Sequence, residues 1–203
     1  MKKSIFYFFL FFSYCSFGQS DAQMADSLYY AGKDWYYEGN YKRAKKDFEK
    51  ALEINLSLYD SVHLKVVKSY FRLGKNERKL KYLKSALAIL NKGLPLAIKL
   101  EGEESHWVAD YYLEIAYAYA QSFDLEKSHY YDQKVIRIFK KLYGAESLDV
   151  GNMYMNIGLT FIRNGDYRKA QNYLSKAYLI FQKKSAPDSE DFNRIYNLSL
   201  IHI

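Results

Sequence analysis

At 203 residues the chain has room for one compact domain or for a linear array of small repeated units. Aromatic residues make up 18%, with 22 Tyr and 13 Phe against only 2 Pro, a composition that suits interlocking helices and excludes disorder. The formal charge is +7, or +5 without Lys2 and Lys3, and its bases alternate with acids, as in Lys42-Arg43-Ala44-Lys45-Lys46-Asp47-Phe48-Glu49-Lys50; that is a solvated helix face and argues against nucleic acid as a partner.

The chain opens with Met1-Lys2-Lys3, an apolar run from Ile5 to Phe12, and small residues at Ser16 and Gly18 before polar sequence begins at Gln19. A basic start, a short apolar stretch and a small-x-small site predict a secretory signal peptide over 1–18, cut after Gly18. The alternative is a membrane anchor, but a span needs ~20 apolar residues and this run is far shorter. Cys15 raises a second alternative, a lipid anchor, against which the bulky Tyr14 just before it argues. With the leader gone the chain has no cysteine, so no disulfide, thiolate metal site or cysteine nucleophile is expected. Export implies a periplasmic or cell-surface protein.

From 19 to 197 the sequence repeats with a period of 42: Ala44, Ala86, Ser128 and Ala170 fall in one column. Lys50, Lys92, Lys134 and Lys176 form another, Tyr70, Tyr112, Tyr154 and Tyr196 a third, and Ile54, Leu96, Ile138 and Ile180 a fourth. The first unit runs through Leu28, Ala31, Gly32 and Trp35, a turn at Gly39-Asn40-Tyr41, then Ala44, Phe48 and Ala51, which predicts two helices joined by a tight turn. The second unit starts at Asp60-Ser61, the predicted helix cap, two residues ahead of the cap column of later units. Inside its second helix stand Gly93 and Pro95, which predict a kink or break near Asn91 to Leu94, since an interior proline costs ~3 kcal/mol in a straight helix.

The third unit opens with Leu100-Glu101-Gly102-Glu103-Glu104-Ser105 and Val108, the fourth with Leu142-Tyr143-Gly144-Ala145-Glu146-Ser147 and Val150. Each glycine ends one helix and each serine caps the next, with Ser189 in the same column. Gly32, Gly74, Ala116 and Gly158 form a column where the first helix must let its partner approach closely, and Asp132 stands, unexplained, where a large apolar residue is expected. In the fourth unit Tyr154, Ile157, Gly158 and Phe161, the turn Gly165-Asp166-Tyr167, and Ala170, Leu174 and Ala177 restate the pattern. The columns then fail at Ser199 and Leu200. The last six residues, Leu198-Ser199-Leu200-Ile201-His202-Ile203, match the translation of a transposon mosaic end, so 198–203 is read as a non-native tail and the natural protein as continuing into a fifth repeat.

These residues carry a resemblance. Leu28 to Ala51 and Tyr154 to Ala177 resemble tetratricopeptide repeats, and the 42-residue spacing resembles the longer repeats of the kinesin light chain type. The resemblance implies an all-α fold, a right-handed superhelical solenoid of antiparallel helix pairs whose first helices line a concave groove. It implies a protein or peptide ligand held by Tyr29, Lys33, Tyr36, Lys68, Phe71, Arg72, Lys75, Leu113, Tyr117, Gln121, Asn156 and Arg163, while inter-repeat packing is the alternative role for each. Asn156 stands where kinesin-light-chain-like repeats carry a groove asparagine; Arg72 and Glu114 replace it in the neighbouring units. The lysine-asparagine clamp for a C-terminal carboxylate is absent.

No enzymatic signature appears. His63, His106 and His129 have no metal-ligand spacing, His202 lies in the tail, and there is no phosphate-binding glycine loop or nucleophile elbow, so no cofactor is expected. Glu101, Glu103 and Glu104 read as solvated charges in a turn, and Tyr111, Tyr112, Tyr117 and Tyr119 mostly as core. Two functions follow: a protein-binding scaffold of the bacterial envelope, or the sensory or regulatory region of a larger protein carrying a histidine kinase, a DNA-binding regulator or a caspase-like protease.

Overall fold

The computed structural model describes residues 2–184, with side chains from residue 20 onward. The side chains of the leader at 1–18, and all of the cap at Ser189 and the tail at 198–203, lie outside what is so described. The described chain is helical and has no strand: α1 (Lys2–Tyr37), α2 (Tyr41–Leu58), α3 (Leu64–Lys79), α4 (Leu83–Glu101), α5 (His106–Gln121), α6 (Leu125–Tyr143), α7 (Leu148–Arg163) and α8 (Tyr167–Lys184). No described helix is long and apolar enough to cross a membrane. The chain forms two compact units, Met1–Leu100 and Glu101–Ile203, each built from two helix pairs.

Each pair is folded by one recurring turn. Asn40, Tyr82, Asp124 and Asp166 donate their backbone N–H to the carbonyls of Trp35, Glu77, Tyr119 and Phe161, five residues back, at 2.8 to 3.0 Å. That bond requires a left-handed residue just before the donor, and the column delivers it: Gly39 (φ 81), Lys81 (φ 67), Phe123 (φ 62) and Gly165 (φ 77). Two repeats therefore keep the geometry without the glycine that makes it easy. The carboxamide of Asn40 and the carboxylates of Asp124 and Asp166 then cap the second helices by accepting from the amides of Arg43, Lys127 and Lys169. Tyr82 holds this place in the second repeat and has no group that caps at such short reach.

The first helices start where the period sets them. Ser105 accepts from Val108 N–H at 3.4 Å and Ser147 from Val150 N–H at 3.3 Å, as the repeated motif implies. In the second repeat the cap is His63 and not Asp60-Ser61: its Nδ1 accepts from Lys65 N–H at 3.2 Å. His63 stands one period before Ser105, so the 42-residue register outweighed the better capping chemistry two residues earlier. Stacking on Tyr59, with ring centroids 4.0 Å apart, helps hold the imidazole there.

The small-residue column sets how closely the two helices of a pair approach. A β-carbon on Gly32 would lie 2.8 Å from the Phe48 ring, one on Gly74 2.6 Å from Leu90 Cγ, and one on Gly158 2.7 Å from Leu174 Cγ. Ala44, Phe48, Leu52, Val66 and Leu73 form the core of the first unit, and Met155, Leu174, Ala177 and Phe181 a core of the second. Tyrosines join the packing: Tyr111 is fully buried and Tyr112 nearly so. Two of the sequence columns meet here, because Lys134 lies over Tyr112 at 5.0 Å and Lys176 over Tyr154 at 5.8 Å, one period apart.

Of the kink or break expected near Asn91 to Leu94, the break is not there: the helix runs from Leu83 to Glu101 with Pro95 inside it. Pro95 and Asn91, whose carbonyl loses its usual donor to the proline, are both exposed residues, which puts the interrupted turn on the solvent side of the helix. Asp132 also finds an explanation. It stands one period from Leu90 and Leu174, and its helix partner Ala116 one period from Gly74 and Gly158, so a longer first-helix residue goes with a shorter second-helix one. Burial of the Asp132 carboxyl pushes its pKa up to about 7.

Candidate peptide-binding faces

In the first unit the candidate face is made by α1 and α3. Tyr29, Lys33 and Tyr36 follow helical spacing on α1, and Lys68, Phe71, Arg72 and Lys75 do so on α3. Arg72 Nε donates to the Tyr29 hydroxyl at 3.3 Å, and Lys65 Nζ to Asp26 Oδ2 at 2.8 Å, which ties the two helices together. The bond to Asp26 raises the Lys65 pKa. Phe71 is only 5% exposed, so it forms a floor under the face, with the Arg72 guanidinium and the Lys75 ammonium over its ring at 6.0 and 5.7 Å. The other six residues are half-buried, and Lys33 lies over Tyr30 at 5.3 Å.

In the second unit α5 supplies Leu113, Tyr117 and Gln121, and α7 supplies Asn156 and Arg163. Asn156 Nδ2 donates to the Tyr117 hydroxyl at 3.3 Å. Asn156 and Arg72 share a repeat column, and each reaches a tyrosine on the preceding first helix, 39 and 43 residues back. Their targets differ by about one helical turn, which the longer guanidinium spans. Arg163 is exposed and the other four are half-buried. Glu114, in the same column as Arg72 and Asn156, is 3% exposed, so the charge-bearing position of one repeat is a core position in the next.

Several of the other polar groups tie helices together. Glu104 pairs with Lys141 and, one period on, Glu146 with Lys183 at 2.6 Å, each joining the start of a first helix to the end of its second. His106 bonds the Tyr143 hydroxyl at 2.7 Å through Nδ1, and His129 that of Tyr173 at 3.2 Å through Nε2. No group of three or more His, Cys, Asp or Glu among the described residues is placed to hold a metal. Sequence reasoning missed two recesses. One, of about 850 Å³, lies beside α6 and α8 around His129, Phe161 and Tyr173; the other lies beside the first unit's face, with Asn55 in its wall. For the second there was a signal: Asn55 breaks a column otherwise filled by Ala97, Phe139 and Phe181.

Residues 25–57 and 107–183 match models of the tetratricopeptide repeat family. No curated protein sequence matches the chain. Among solved structures, BtubC (BKLC) from P. vanneervenii is 18% identical with a TM-score of 0.72, covering 91% of this chain and 79% of that one. The nearly identical tetratricopeptide-like repeats of a putative kinesin light chain from Podosopora anserina are 15% identical with a TM-score of 0.76, over 90% of this chain and 86% of that one. MamA from Desulfovibrio magneticus RS-1 is 21% identical with a TM-score of 0.60, over 80% and 78%. With two-helix bricks, glycine-mediated pairing and recurring turns already in view, these matches establish that the chain belongs to the tetratricopeptide repeat family.

Proposed function

We propose that this protein is an interaction scaffold of the bacterial envelope that holds an extended segment of a partner protein along its first-helix faces. The observation that carries this is that each unit by itself presents helically spaced, mostly half-buried polar and aromatic side chains, on α1 and α3 in the first and on α5 and α7 in the second, cross-linked by the Arg72–Tyr29 bond in the one and the Asn156–Tyr117 bond in the other. Such side chains are pre-ordered, so less entropy is lost when a ligand arrives. The face of the first unit adds Lys33, Lys68, Arg72 and Lys75, which favours an acidic stretch of ligand. The envelope setting rests on the leader at 1–18.

The test is capture of partners from an envelope extract by the wild type and by Asn156→Ala/Arg163→Ala and Lys68→Ala/Lys75→Ala, with helical circular dichroism as the folding control. Weaker capture by both folded double variants supports the reading. Undiminished capture by both overturns it. Fractionation of cells making the tagged chain tests the location, and retention with cytoplasmic markers would refute export.

A further inference from the structure

The recess of about 850 Å³ in the second unit shares no lining residue with the candidate peptide face. Its floor is three rings from three helices, His129 of α6, Phe161 of α7 and Tyr173 of α8. Phe161 and Tyr173 lie nearly parallel with centroids 5.8 Å apart, and the imidazole is 5.9 Å from the first and 5.6 Å from the second. One wall is Arg168, Asn172 and Lys176, exposed residues spaced by four and so on one face of α8. Lys176 lies over the Tyr173 ring at 5.0 Å, and neither it nor Arg168 makes an ion pair among the described residues. Asp166 is taken by Lys169, accepting from its amide and pairing with its ammonium at 2.9 Å. Two periods earlier the places of His129, Phe161 and Tyr173 hold Lys45, Glu77 and Ile89. There Lys45 Nζ meets the buried Glu77 Oε1 at 2.8 Å, so a cation is balanced within the chain. In the second unit rings replace that pair, and the cations of the wall are left without a carboxylate of their own.

We propose that this recess docks an extended acidic segment of a partner protein, as a second binding surface independent of the first-helix faces. Arg168 and Lys176 are eight residues apart on α8, about 12 Å at 1.5 Å per residue. An extended chain rises about 3.3 Å per residue, so carboxylates at the first and fifth positions of the segment meet the two cations. The third side chain points the same way and falls beside Asn172 on the ring floor, which suits a large apolar residue. A recess of this volume takes several side chains together. Glu126 stands on the opposite wall, so like charge keeps the acids to the α8 side. His129 reports occupancy. Burial, and then Lys169 and Lys176, lower its pKa, while Glu126 and the Tyr173 hydroxyl are the other polar groups about it. Carboxylates that neutralise those cations move it back up.

The experiment follows the His129 ring of the full chain by NMR during titration with two end-blocked peptides. One is glutamate-serine-phenylalanine-serine-glutamate, and the other has glutamine for both glutamates. The expected result is a saturable shift and a raised His129 pKa with the acidic peptide, which binds about tenfold tighter than its neutral counterpart and loses that margin as salt is added. Arg168→Gln/Lys176→Gln, at two exposed positions, abolishes the preference, whereas Lys68→Ala/Lys75→Ala in the first unit preserves it. Equal binding of the two peptides, no response at His129, or an undiminished preference in Arg168→Gln/Lys176→Gln overturns the proposal; the first two comparisons need only the wild type. Inorganic phosphate binding as tightly as the acidic peptide would assign the recess to a free anion. A wild-type dimer that Arg168→Gln/Lys176→Gln dissolves would assign it to a second copy of the chain. Either outcome refutes the acidic segment as its occupant.

Discussion

A β-carbon built on Gly74 would lie 2.6 Å from Cγ of Leu90, so α3 and α4 reach their observed separation only because position 74 carries no side chain. The clash is with both the branch point of Leu90 and its Cδ2 methyl, at 2.6 and 2.7 Å, so the leucine cannot clear it by turning a methyl end alone. Gly74→Ala should therefore lose stability although alanine is the better helix former. Overpacking costs about 1–3 kcal/mol and the propensity gain is about 1 kcal/mol, leaving a net loss of about 1 kcal/mol. Urea unfolding measures it, and a stabilised variant would contradict the packing account.

The third repeat offers the reciprocal experiment, because it pairs Ala116 with Asp132 where its neighbours pair glycine with leucine. Asp132→Leu alone meets the Ala116 methyl, and Ala116→Gly alone opens a gap. Made together they reproduce the fourth repeat's arrangement. The double-mutant cycle should give a favourable coupling of about 1 kcal/mol or more, and strict additivity would show that the two positions do not share volume.

The same aspartate makes stability depend on pH. Burial raises its carboxyl from 3.8 to about 7 in the folded chain. The folded state therefore keeps a proton that the unfolded chain has already released. The associated stability is fully present below pH 3.8, is lost as pH rises through about 7, and amounts to ~4 kcal/mol over that window at 1.36 kcal/mol per pH unit. Asp132→Asn removes this dependence, so its melting temperature should gain on the wild type from pH 5 to pH 8. A constant difference across that range would mean the carboxyl titrates normally.

Lys81 and Phe123 adopt φ of 67° and 62° in turns where the first and fourth repeats place glycine. A left-handed residue with a side chain is strained by about 1–2 kcal/mol, and glycine gives back about 0.5–1 kcal/mol in unfolded-state entropy. Lys81→Gly and Phe123→Gly should each stabilise by about 0.5–1 kcal/mol. Phe123 is 78% exposed and forfeits little packing. Raised urea midpoints are the readout, and a loss at Phe123 would reveal packing by the ring that its exposure does not suggest.

The sequence by itself determined the two-helix brick. Period 42, the glycine column, the Ser105 and Ser147 caps and the two-helix pattern are local statements, and each appears in the structure where its residues place it. They are legible because one brick repeats and each copy checks the others. Tertiary structure decided what a single column cannot express. His63 caps α3 because the register of packed helices fixes where the helix begins, whatever Asp60 and Ser61 offer locally. Pro95 is tolerated because the carbonyl it deprives belongs to an exposed residue, and exposure is a property of neighbours. Asp132 makes sense only beside Ala116, and the recess at Asn55 only once α1, α2 and α3 are assembled around it. The physical reason is common to all four: burial and volume are shared between segments far apart in the chain, so they are fixed when the helices pack and not before.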